Sequence, residues 1–224
     1  MKRARIHRLA SATVLGIADL AGPTYAQTRN VATEISRMDD IAAAVGGARV
    51  QQRISADFSA FAGSESNARN LVTGLHAGGG ITLTSIDSSG GSAQWASAVK
   101  FTIPVRPMGY GEIYVGLSLA KQQLAAQGIT NPTPEQLQLA LTGGTVTSGD
   151  PPQTLPVQGV LQLRSQGVGW AQIASKYRIN LGPVLAGMQS ANQRLSGMAD
   201  TLTPDSSGAA SGSTTGAVRQ NLLL

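Results

Sequence analysis

The chain has 224 residues, 17 Lys and Arg against 12 Asp and Glu, and no cysteine. Without thiols neither a disulfide scaffold nor a thiolate metal site is open to it, so it must fold on a hydrophobic core; its length suffices for one domain or two small ones. The basic excess is concentrated at the start, where Lys2, Arg3, Arg5 and Arg8, with Asp19 as the acidic residue, precede Gln27. The remainder balances at thirteen basic against eleven acidic residues and holds no Lys/Arg cluster of the kind that grips a phosphate backbone.

Those basic residues stand ahead of an apolar run from Leu9 to Ala18, followed by Pro23 and Thr24-Tyr25-Ala26. That is the order of a secretory signal, and it predicts cleavage after Ala26 and a periplasmic or secreted chain beginning at Gln27. The run is about ten residues where a spanning helix needs about twenty, so no transmembrane anchor is expected after cleavage. Asp19, at the end of the run, departs from the pattern.

Past Gln27, Met38, Ile41, Ala42 and Val45 recur at helical spacing up to Gly46-Gly47. ISADFSAFAGSESNARNLVTGLHAGGG predicts two short helices meeting at Gly63-Ser64. Phe58 and Phe61 belong to the first; Ala68, Leu71, Val72 and Leu75 form the stripe of the second, which Ser64 caps and Gly78 to Gly80 stop. The period then changes to two. Ile81 to Ile86 and Ala98 to Ile103 alternate around the turn residues DSSGGS, predicting one β-hairpin near 81–103 that Pro104 and Pro107 end.

Tyr110, Ile113, Leu117, Ala120 and Leu124 make one stripe down YGEIYVGLSLAKQQLAAQG, stopped by Gly128. NPTPEQL opens the next helix, with Thr133 as cap, Pro134 in the first turn and Gln136 three residues after the cap. Residues 143–156, Gly143-Gly144 followed by TVTSGDPPQTLP, read as a linker by composition. Three short helices then carry Val157, Val160 and Leu161; Trp170, Ile173, Ala174 and Tyr177; and Leu181, Val184, Leu185, Met188 and Leu195. Residues 198–224 lack the apolar residues to order themselves and read as a disordered tail. The expected fold is mainly α with one small β-hairpin: a helical region over 27–142 and a short-helix assembly ending in a trihelical, helix-turn-helix-like unit over 157–197.

Chemistry is sparse. His76 is the one histidine after Gln27 and lies beside three glycines at a helix end, where it is expected to solvate the helix terminus. Asp87, Glu112 and Glu135 are the carboxylates a paired acid/base site would draw on, and nothing in their spacing joins them. DSSGGSAQWASA begins like a calcium loop but has Ala98 in its twelfth place, and Gly78 to Gly80 precede a strand where a phosphate cradle precedes a helix. No catalytic residue, metal-ligand set or cofactor is assigned.

Two phrases echo each other: Pro107 to Ile113 reads PMGYGEI, and Gly167 to Ile173 reads GVGWAQI. Each suits a helix start, with Tyr110 or Trp170 plugging the joint and Glu112 or Gln172 in the first turn, where free backbone N–H groups favour an acceptor. Val115 and Leu119 lie off the stripe that follows. They are expected to supply a second apolar contact, either between domains or between chains, and so a protein partner or self-association.

VLQLRSQGVGWAQIASKYRINLGPVLAGMQ resembles the helix-turn-helix of recombinases and many bacterial regulators, over 158–189. That resemblance implies a third helix reading base edges, yet its first turns hold Leu181, Gly182, Pro183 and Val184. Asn180, Gln189 and Arg194 are the suitable donors, and Lys176 and Arg178 could touch phosphate. MGYGEIYVGLSLAKQQLAAQGITNPTPEQLQLALTGG followed by VLQLRSQGVGWAQIASKY resembles uncharacterised secreted proteins of Gram-negative bacteria, over Ser55 to Met188, a group without an established activity. This second resemblance implies export and carries over no catalytic residue. The sequence therefore points to an exported non-enzymatic protein working through protein contacts in the cell envelope. The alternatives are a helix-turn-helix DNA-binding protein, nucleic acid being the less favoured partner, and an envelope enzyme using carboxylates.

Overall fold

The structure, a computed structural model, describes residues 22–87, 94–148 and 153–200. Residues 1–21 of the expected signal over 1–26, residues 88–93 and 149–152, and residues 201–224 of the expected tail over 198–224 lie outside the described residues. Helix α1 (Gly22–Val45) ends at Gly46, whose φ of 92° is a conformation that other residues resist, and α2 (Gly47–Phe58) starts at once. Helix α3 (Glu65–Ala77) has the expected cap: the Ser64 hydroxyl accepts from the Asn67 N–H at 3.0 Å, and left-handed Gly78 closes the other end. Strands β1 (Gly80–Asp87) and β2 (Gln94–Thr102) pair antiparallel, with a register shift between Ser85 and Ile86.

Helix α4 (Tyr110–Ala125) is followed by α5 (Pro134–Thr142), which opens on a complete capping box. Gln136 N–H donates to the Thr133 hydroxyl, and Thr133 N–H donates to Gln136 Oε1 at 2.9 Å. The stretch expected as a linker is instead a second antiparallel hairpin, β3 (Gly144–Ser148) with β4 (Gln153–Val157). The TVT and QTLPV flanks, too short to establish a period, are the strands, and residues 149–152 between them lie outside the described residues. At its base Gly143 and Gly159 cross so closely that a Cβ on Gly159 would stand 2.1 Å from the Gly143 nitrogen. Helices α6 (Val160–Ser165), α7 (Trp170–Lys176) and α8 (Leu181–Asp200) complete the described chain.

One apolar core runs through all of this, from Val31 on α1 to Leu195 on α8. Helix α4 is its axis: Ile113, Val115, Leu117, Leu119 and Ala120 are all fully buried, because α1, α2, α3, α5, α6, α7 and α8 surround it. A helix that is apolar all round belongs inside a protein rather than on one face of it. Helix α8 packs principally on α1, α4 and α2, so the last three helices share the core of the 27–142 region instead of enclosing one of their own. The seam between α1 and α8 also carries a buried polar link, in which Asn192 Nδ2 donates to the Glu34 carbonyl at 3.1 Å and to its carboxylate at 2.8 Å.

Candidate functional site

The region built around PMGYGEI begins on α3. Met108 N–H donates to Leu75 O at 3.1 Å, occupying one of the carbonyls left free at the end of α3, and His76 Nδ1 donates to Met108 O at 2.9 Å. The Pro107 ring fills the space over Gly78. Tyr110 stacks on the His76 ring with centroids 4.3 Å apart and planes inclined by 16°. Burial raises its hydroxyl pKa above the ordinary tyrosine value.

The two glycines flanking Tyr110 answer to α1. Asp39 Oδ1 accepts from Gly111 N–H at 3.1 Å, so a side chain from another helix satisfies the first turn of α4. A Cβ on Gly109 would meet the Asp39 carboxylate, and one on Gly111 would stand 2.4 Å from the Ile35 carbonyl oxygen. GYG is thus the point where α1 lies against the start of α4, backbone to backbone.

The second phrase meets the first in space. Glu112, in the first turn of α4, pairs with Arg164 at 2.5 Å, and the Arg164 guanidinium lies 4.9 Å from the centre of the Trp170 ring. Both charged side chains are about a third exposed, so the ion pair contributes on the order of 0–1 kcal/mol, and the cation–π contact about 0.5–1 kcal/mol. Gln172 does not join this cluster. Its Oε1 accepts from Gly169 N–H at 3.2 Å and caps α7 locally.

Beside the cluster is an open cleft of ≈ 400 Å³ walled by the 104–108 segment, Glu112, Arg164, Ser165 and Gly167. Arg106 and Arg164 line it, with Glu112 as the one carboxylate among the lining residues. The Ser165 hydroxyl is engaged, donating to Gln162 O at 2.7 Å. Among the described residues no group of three or more His, Cys, Asp or Glu side chains is gathered as a metal ion would require.

Of the six residues singled out in the sequence, Glu112 and Trp170 converge through Arg164, with Tyr110 one turn away. Val115 and Leu119 are completely buried in the chain's own core, so the second apolar contact expected of them is made by neighbouring helices of the same molecule. Arg164, Asp39 and His76 had no signal in the spacing: their partners lie 52, 72 and 32 residues away. The helix-turn-helix resemblance falls on α6, α7 and α8. Leu181 and Val184 on the first turn of α8 face the core, leaving Pro183 and Ala186 exposed where base-reading donors would be needed.

No family model matches the chain, and no curated protein or solved structure matches it.

Proposed function

We propose that the chain is an exported, non-enzymatic protein that works through protein contacts in the cell envelope. The observation that carries the non-enzymatic part is the use made of the two echoing phrases. Tyr110 and Trp170 fill joints in the core, Glu112 is held by Arg164, and Gln172 caps a helix, so the residues most like chemistry are employed in structure. Export is supported by the basic, apolar and small residues of 1–26 in signal order. Contact is supported by the open cleft, whose excess of arginine over carboxylate suits an acidic surface. The first turn of α8, with Leu181 and Val184 buried and Pro183 exposed, presents no base-reading donor and so weighs against reading DNA.

Mass spectrometry of the N-terminus, on protein recovered from periplasm, medium and cytosol, tests this reading. The expected product starts at Gln27 and is found outside the cytosol. An intact Met1 form confined to the cytosol would overturn export and return nucleic-acid binding to consideration.

A further inference from the structure

Helix α2 begins with nothing to receive its first backbone donors. Its cap is Gly46, which has no side chain to accept from them, and no acidic residue lies in its first turn. At this junction Gly46 N–H donates to Ala42 O at 3.0 Å and Arg49 N–H to Gly46 O at 3.1 Å. The N–H groups of Gly47 and Ala48 have no acceptor among the described residues, to which the whole junction belongs. Where other helices start, a side chain takes such donors: Ser64 on α3, Asp39 on α4 and Thr133 on α5.

A second observation leads to the same point from α4. The Tyr110 ring is used by the core and by His76, but its hydroxyl has no hydrogen-bond partner among the described residues. The residue is only 9% exposed, and a Cβ on Gly47 would stand 2.7 Å from the Tyr110 oxygen, so the hydroxyl is set against the Gly47 backbone at the start of α2. Any other residue at 47 would displace it. Leaving a hydroxyl so placed without a partner is costly. Because burial raises its pKa, Tyr110 keeps its proton at neutral pH and remains a donor.

Three donors without acceptors are thus gathered at one helix start. Their common complement is a negatively charged oxygen, which the dipole of α2 also favours. Arg49, exposed in the first turn, supplies a full positive charge, while Asp39, at the backbone end of Tyr110, is engaged by Gly111 N–H. Gly46 and Ala48 are exposed, so the place is open to solvent. We infer that the start of α2 is an anion-binding site, in which a small carboxylate or phosphate group accepts from the Gly47 and Ala48 N–H groups and from the Tyr110 hydroxyl. This inference is independent of export and of the cleft beside Arg164.

Amide chemical shifts of the full chain, titrated with sodium phosphate and separately with sodium acetate at constant ionic strength, test it. The expected result is saturable shifts at Gly47 and Ala48 with at least one of the two anions. The one that saturates at lower concentration identifies the class of ligand. Tyr110→Phe removes the hydroxyl, keeps the ring against His76 and is expected to weaken binding about tenfold. Ala48→Asp places a carboxylate on the exposed first turn, where it takes the donors itself. It is expected to abolish saturation and raise the thermal midpoint, and it leaves the core untouched should Tyr110→Phe loosen it. Absence of saturable shifts at Gly47 and Ala48 with both anions overturns the inference. So does unchanged affinity in either variant, since the ligand would then be held by other groups.

Discussion

Gly111 shows how a single hydrogen atom can set the distance between two helices. Ala is ordinarily the better helix residue by about 1 kcal/mol. At Gly111, however, the added carbon would be driven into the backbone of Ile35, which has no side-chain freedom with which to yield. Gly111→Ala is therefore expected to destabilise the fold by about 1–3 kcal/mol, an overpacking cost. Gly116 lies on the same helix with only the ends of Leu161, Trp170 and Met108 nearby, none closer than 3.5 Å. Gly116→Ala is expected to be neutral or to stabilise by up to about 1 kcal/mol. Urea midpoints of the two variants check the pair; equal shifts would mean that α1 and α4 are not in backbone contact. The sequence shows that glycines flank Tyr110 but not why, because a close approach by a segment more than seventy residues away leaves no local mark.

Among the elements, those with local grammar were legible. The caps at Ser64 and Thr133 are made by the hydroxyls expected, since their partners lie three residues on. Two elements escaped for different reasons. The stripe on α4, with Val115 and Leu119 set off from it, did not show that neighbouring helices of the same chain cover every face, and the β3–β4 hairpin has strands of five residues each, too short to establish a period. Seams between elements are where tyrosines become sensitive to pH. Tyr114 packs edge-on against Phe58, and burial, helped by the charge of Asp57, pushes its pKa up to about 12. Tyr177 donates to Gln158 O at 2.6 Å, joining the end of α7 to the approach of α6, and burial pushes it to about 12 as well. Both are raised above the ordinary value of about 10, so the native state prefers the neutral phenols. Their contribution is complete below about pH 10 and is lost as pH rises from there towards 12. Urea midpoints against pH, followed alongside phenolate absorbance, are expected to hold level up to about pH 10 and fall beyond it. Ionisation of both tyrosines near pH 10 without loss of stability would contradict the buried seams.

For the whole molecule, helical class and one hairpin followed from periodicity. The expected separation between 27–142 and 157–197 did not take account of how α8 completes the surroundings of α1 and α4. Apolar spacing identifies which face of a helix is buried but not which helix buries it. The candidate site was half visible in the same sense: the likeness of PMGYGEI and GVGWAQI could be read, while Arg164, which joins them, is an ordinary surface residue until the chain folds. The Gly143–Gly159 crossing has a consequence for how such a protein can change over evolutionary time. The second hairpin leaves the body and returns to it at one point, so the hairpin and the helical body are free to vary separately. Strands of other length or pairing preference can be grafted there without repacking the core. Joining Gly143 directly to Gln158 is expected to leave the thermal midpoint of the helical body nearly unchanged. A body that unfolds on that deletion would show instead that the hairpin is part of the fold's foundation.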